Sequence, residues 1–75
     1  MDVIIFPPNI SDTGYYVIAT REVPYKYATA RGNWVGDIFG ETAQFRTARD
    51  AISFAESRGW TILNKADKNN LIDVP

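Results

Sequence analysis

Thr47-Ala48-Arg49-Asp50-Ala51-Ile52-Ser53-Phe54-Ala55-Glu56-Ser57-Arg58-Gly59-Trp60 is the stretch that decides how the rest of this chain folds. Ala48, Ala51, Ile52 and Ala55 follow the i, i+3, i+4, i+7 spacing of one helix face, with Phe54 at its edge. Arg49, Ser53 and Glu56 fall on the opposite face. The Thr47 hydroxyl is placed to accept from an N–H of the first turn, and Asp50 three residues later resembles a capping box. At the other end Gly59 suits the left-handed position after a helix. Trp60 is placed for the hydrophobic contact that accompanies such caps. The inward face is built of small alanines, so this helix can lie close on a sheet. The spacing predicts one helix over residues 48–58.

Strand signals lie on both sides of it. Glu41 to Arg46 alternates, with Ala43 and Phe45 opposite Thr42 and Gln44, the pattern of a half-buried strand. Trp60-Thr61-Ile62-Leu63 reads as a strand after the helix, followed by a polar turn at Asp67-Lys68-Asn69-Asn70 and a last edge strand from Leu71 to Val74. Upstream, Tyr15 to Val23 is the strongest strand signal, rich in residues that suit a pleated surface and limited by Pro24. Tyr25 to Thr29 reads as a further strand with Tyr25 and Tyr27 on one face. The run at residues 3–6, closed by Pro7-Pro8, reads as an edge strand, because neither proline donates to a ladder. Asn9 to Gly14 is turn chemistry.

Gly32, Gly36 and Gly40 recur every fourth residue, but Arg31, Asn33 and Asp37 among them exclude a membrane helix, and three glycines disfavour a water-exposed one. Residues 31–40 therefore read as an ordered loop pinned by Trp34, Ile38 and Phe39. The fold expected is α+β: a small antiparallel β-sheet of three to five strands with one α-helix packed on one face, in the order β-β-β-α-β with a further edge strand after it. Residues 1–75 form a single domain. The expected core is Ile4, Phe6, Tyr16, Ile18, Phe45, Ala51, Ile52, Ala55, Trp60 and Ile62.

Seventy-five residues without cysteine must fold without a disulfide or a thiolate metal site. A core of this size supplies only about 3–5 kcal/mol of net stability. The four Phe, four Tyr and two Trp must carry much of it. Eight basic and nine acidic residues leave a net charge of -1, which argues against a general nucleic-acid binder. The acidic residue at position 2 and the prolines at 7 and 8 do not fit a signal peptide. The expectation is a soluble, cytoplasmic protein.

Catalytic chemistry has little to draw on. Histidine is absent, so the usual base near neutral pH is missing, and cysteine is absent as a nucleophile. Ser11, Ser53 and Ser57 have no neighbouring base in the sequence. Asp37 and Glu41 are close enough to meet across a loop, yet a chain this short leaves little material for a cleft. Asp67, Asn69 and Asp73 lack the glycine and the terminal acid of a calcium loop. Neither a G-x-G-x-x-G nor a Gly-Lys-Ser/Thr phosphate loop occurs. Tyr15, Tyr16, Arg21, Tyr25, Lys26, Tyr27, Arg31 and Trp34 mix aromatic and basic residues as a single-strand binder does. No Gly-aromatic RNA-binding signature accompanies them, so core aromatics alternating with solvated charges is the preferred reading. No enzyme, cofactor or metal is expected.

The segment Phe45 to Trp60, with Phe45-x-Thr47 leading into Ala51-Ile52-x-Phe54-Ala55-Glu56 and Gly59, resembles the ETC-type accessory subunit family of respiratory complex I. Trp34-Val35-Gly36 is similar to that family's W-x-G segment, and Ile5-Phe6-Pro7-Pro8 and Tyr16 to Thr20 sit where its first two strands do. The resemblance implies a small α+β domain without cofactor that packs on a larger assembly, peripheral to a membrane. The chain departs from the family in lacking its Pro- and Lys-rich C-terminal tail.

These readings converge on a non-enzymatic protein-binding module that docks on a larger protein complex. The candidate anchors are Tyr25, Tyr27, Arg31, Trp34, Ile38 and Phe39, because aromatic and Arg residues on ordered loops dominate such contacts. A competing expectation of the same mechanism is a small phage inhibitor, of the anti-CRISPR type, that blocks a bacterial defence complex. A single-stranded nucleic-acid binder is the remote third.

Overall fold

The computed structural model describes residues 1–63. The turn expected at 67–70 and the strand expected at 71–74 lie outside the described residues. Val3-Ile4-Ile5-Phe6 is apolar at every position rather than at alternate ones, the pattern of a strand covered on both faces. Strand β1 (Asp2–Phe6) is used that way, with all four of these residues buried. It is an interior strand, not the edge that the flanking prolines implied. Those prolines have another use: Pro8 begins a short helix, α1 (Pro8–Ser11), where its missing N–H has no partner to lose. Residues 9–14 are thus a helical turn followed by bends. The buried Ser11 hydroxyl donates to the Tyr15 carbonyl at 2.7 Å and steers the chain into the next strand.

That strand is β2 (Val17–Thr20), antiparallel to β1 with Ile5 opposite Ile18 and Phe6 opposite Val17. It is shorter than the expected Tyr15–Val23 because Thr20 closes a turn: its hydroxyl oxygen accepts from the Lys26 N–H at 3.0 Å. Next come β3 (Tyr27–Ala28) and β4 (Trp34–Val35), a hairpin, so part of the expected loop at 31–40 is strand. The longer helix, α2 (Ala48–Ser57), leads to β5 (Thr61–Ile62).

The sheet order is β4-β3-β2-β1-β5. Neighbours are antiparallel except β1 and β5, which are parallel. The expected small α+β sheet with one helix on one face is what forms, but it is mixed. Crossing the sheet on α2 delivers β5 to the far side of β1 in the same direction, the connection that a parallel neighbour needs. Residues 41–46 are not a continuous strand. They make two isolated antiparallel bridges, Thr29 with Thr42 and Tyr16 with Phe45, because their partners belong to different strands.

Two apolar layers follow from the pleat. Val3, Ile5, Ile18 and Ala28 point to α2 and meet Ala51 and Ala55, with Tyr16, Trp34, Phe45, Ile52, Phe54, Trp60 and Ile62 around them. On the opposite face Ile4, Phe6, Val17 and Ala19 are buried, with Tyr25, Tyr27, Ile38 and Leu63 packed against them. Of the expected core, Ile4, Phe6, Ile18, Ala51 and Ala55 are buried, while Tyr16, Phe45, Ile52, Trp60 and Ile62 are partly buried. Covering both sheet faces adds Val3, Ile5, Val17, Ala19 and Ala28, and the first turn of α2 adds Ala48. The helix is capped as its sequence requires. The Asp50 N–H donates to Thr47 Oγ1 at 3.1 Å. Gly59 adopts φ 75°, and the N–H groups of Gly59 and Trp60 donate to the carbonyls of Glu56 and Ala55, both at 3.0 Å.

Candidate protein-binding site

Two turns project from the β4 side of the sheet, and a threonine closes each. In the first, the Thr29 N–H donates to the Asn33 carbonyl at 2.8 Å, and the Asn33 N–H donates to Thr29 Oγ1 at 3.1 Å. Gly32 completes it at φ 89°, with its N–H on the Thr29 carbonyl at 2.9 Å. In the second, Asp37 Oδ1 accepts from the Phe39 N–H at 2.9 Å, and the Thr42 hydroxyl donates to the Asp37 carbonyl at 2.9 Å. Thr29 and Thr42 are both buried and pair with each other, so the turns share one base. Threonine suits that base because its hydroxyl serves a local backbone group while its methyl packs.

At the tips stand Arg31, exposed, and Phe39, 65% exposed. A hollow of about 300 Å³ beside Arg31 is lined by Thr29, Ala30, Arg31, Asn33, Val35 and Glu41. The first turn is also held from the helix side. The Arg58 guanidinium lies 4.8 Å above the Phe54 ring and donates to the Ala30 carbonyl at 3.4 Å. The φ of 89° favours glycine at position 32, and a Cβ there would lie 2.5 Å from Arg58 Nη1, so a side chain would also displace the guanidinium.

The six anchors named from the sequence are distributed over three places. Arg31 and Phe39 share the paired turns. Tyr25 and Tyr27 lie on the face away from α2, their rings 5.1 Å and 6.4 Å from that of Phe6, and Ile38 packs on the same layer. Trp34 is on the helix side, its ring 5.0 Å from Trp60. Ala28 opposite Trp34 and Tyr27 opposite Val35 fix this division, since residues paired across a ladder share a face. Sequence reading missed Arg58. Its signal was present: an Arg four residues after Phe54 on a helix is within stacking reach.

Asp37 closes the second turn, and among the described residues no group of three acids is close enough to hold a metal ion. A larger, open groove of about 480 Å³ lies at the other end of the sheet, bordered by Met1, Asp2, Arg21, Glu22, Val23 and Lys26. Its charges are mixed, and Arg21 faces Asp2 at 3.9 Å. No described helix is long and apolar enough to cross a membrane. No protein-family model, curated protein or solved structure matches the chain.

Proposed function

We propose that this chain is a non-catalytic protein-binding module that docks on a larger protein assembly through its paired turns. The observation that carries the reading is the presentation of Arg31 and Phe39, both exposed, on turns closed by six backbone and side-chain hydrogen bonds and joined at Thr29 and Thr42. Arg and aromatic side chains are the residue types that dominate binding energy at protein interfaces. Turns fixed before contact lose little conformational freedom on binding, so more of the contact energy appears as affinity. The residues around them are committed elsewhere: Tyr25 and Tyr27 to Phe6, and Trp34 to Trp60.

The likeness of residues 45–60 to complex I accessory subunits supports a respiratory oxidoreductase as the assembly, with the module bound at its periphery. Affinity purification of the tagged chain from its source cell, with mass spectrometry of what co-purifies, tests this. Arg31→Glu combined with Phe39→Ala is expected to remove the partner while the circular dichroism spectrum is unchanged. Undiminished recovery with the double variant would refute the paired-turn surface. Recovery of a nuclease-type defence complex in place of respiratory subunits would move the partner to the inhibitor reading.

A further inference from the structure

The chemistry of the partner follows from the junction between the 29–33 turn and the end of α2, and it rests on the docking reading above. We infer that Arg31 and Arg58 form a carboxylate-binding site that grips an acidic segment of the partner protein. Arg58 is held in place before anything binds. Its guanidinium lies 4.8 Å above Phe54, donates through Nη2 to the Ala30 carbonyl, and fills the space left by the missing side chain of Gly32. Ala30 is the residue before Arg31, so the two guanidinium-bearing residues are joined through one backbone contact.

A guanidinium carries five N–H donors. Among the described residues, Arg58 has one hydrogen-bond acceptor, and the ion pair present joins Arg21 to Asp2, not Arg31 or Arg58 to an acid. Two planar cations with donors to spare, one of them prestacked on an aromatic ring, have the chemistry that takes carboxylates in bidentate fashion. The site is local. The whole chain carries a net charge of -1, so it does not attract anions over its surface at large. Glu41 lines the same hollow as Arg31, which disfavours an acidic ligand within that hollow.

A nucleic-acid strand fits less well. Base stacking needs open aromatic faces beside the cations. Here the Phe39 ring is open, but the row of faces that successive bases need is taken up: Arg58 covers Phe54, Trp34 faces Trp60, and Tyr25 and Tyr27 face Phe6.

The test is a titration of the full chain with an N-acetylated hexaglutamate peptide, followed through the arginine Nε–H resonances. Hexaglutamine and hexathymidylate serve as controls at equal ionic strength. Saturable shifts are expected at Arg31 and Arg58 and not at Arg21, Arg46 or Arg49. Arg31→Gln and Arg58→Gln should each weaken binding by about two- to fivefold, the range of an exposed ion pair. Arg58→Lys keeps the charge but loses the fork and should weaken it too, and Glu41→Gln should strengthen it. Equal shifts at all five arginines, no shifts, or tighter binding of hexathymidylate would overturn the inference. If partner capture then still depends on Phe39 but not on either arginine, the carboxylate site alone is lost. If capture depends on none of the three, the docking reading falls with it.

Discussion

Gly32 and Gly59 both sit at positive φ, 89° and 75°. Alanine at either enters a backbone region that costs an L-residue about 1–2 kcal/mol. Only Gly32 also faces a side chain. A Cβ there would lie 2.5 Å from Arg58 Nη1 and 2.9 Å from its Cζ, whereas Gly59 has nothing within 4 Å. The guanidinium ends a flexible side chain, so it swings aside instead of colliding. What is lost is its stacking on Phe54, about 0.5–1 kcal/mol at an exposed site, and a long hydrogen bond. Gly32→Ala should therefore cost about 1.5–3 kcal/mol, against about 1–2 kcal/mol for Gly59→Ala. With Arg58 already replaced by alanine there is nothing to displace, and Gly32→Ala should fall to the Gly59 value. The double-mutant cycle isolates a coupling of about 0.5–1 kcal/mol. Urea unfolding followed by tryptophan fluorescence reads it, since Trp34 and Trp60 stack across the interface between the hairpin and the chain after α2. Equal costs of Gly32→Ala in the two backgrounds would show that Arg58 does not hold the turn.

Other substitutions probe the fold and the surface separately. Thr47→Ala removes the acceptor of the Asp50 N–H and should cost about 1 kcal/mol in the same unfolding assay, with Thr47→Asp retaining most of it. Ile18 on β2 is fully buried in the layer beneath α2, and Ile18→Ala should cost about 2–5 kcal/mol. That is most of the stability of so small a core, so near-ultraviolet circular dichroism should show a largely unfolded chain. Ala51 has no exposure where α2 meets the sheet, so Ala51→Leu should destabilise by about 1–3 kcal/mol, while Ser53→Leu on the outer face should change the urea midpoint little. Arg31→Glu and Phe39→Ala should each alter stability by less than about 0.5 kcal/mol, because neither side chain is part of either apolar layer.

What the sequence revealed depended on how local the cause was. The α2 caps were legible because Thr47 and Gly59 act on backbone groups within three or four residues. The face of α2 was legible because Ala48, Ala51 and Ala55 repeat at the helix period. Strand β1 was misplaced at an edge because Pro7 and Pro8 are strong local signals, whereas its burial is set by α2 on one side and Phe6-centred packing on the other. The uninterrupted run Val3-Ile4-Ile5-Phe6 was the better clue. Parallel pairing of β5 with β1 joins residues about sixty positions apart, and no nearby residue encodes it.

The site was legible by residue type but not by place. Tyr25, Tyr27, Ile38 and Trp34 are as interface-like as Arg31 and Phe39, yet hairpin register turns Tyr27 and Trp34 to opposite faces. Phe6 then takes both tyrosine rings. Arg58 escaped notice because it reads as an ordinary charged residue before Gly59. Only the folded chain brings it to Ala30, 28 positions away.

Amide hydrogen exchange, compared between the unbound chain and its captured complex, is the most direct probe of where contact occurs. Slowing should concentrate in residues 29–42 and at the end of α2 around Arg58. Slowing confined to the outer face of α2 at residues 49–56, or to the segment 8–15, with the paired turns exchanging as before, would contradict the account.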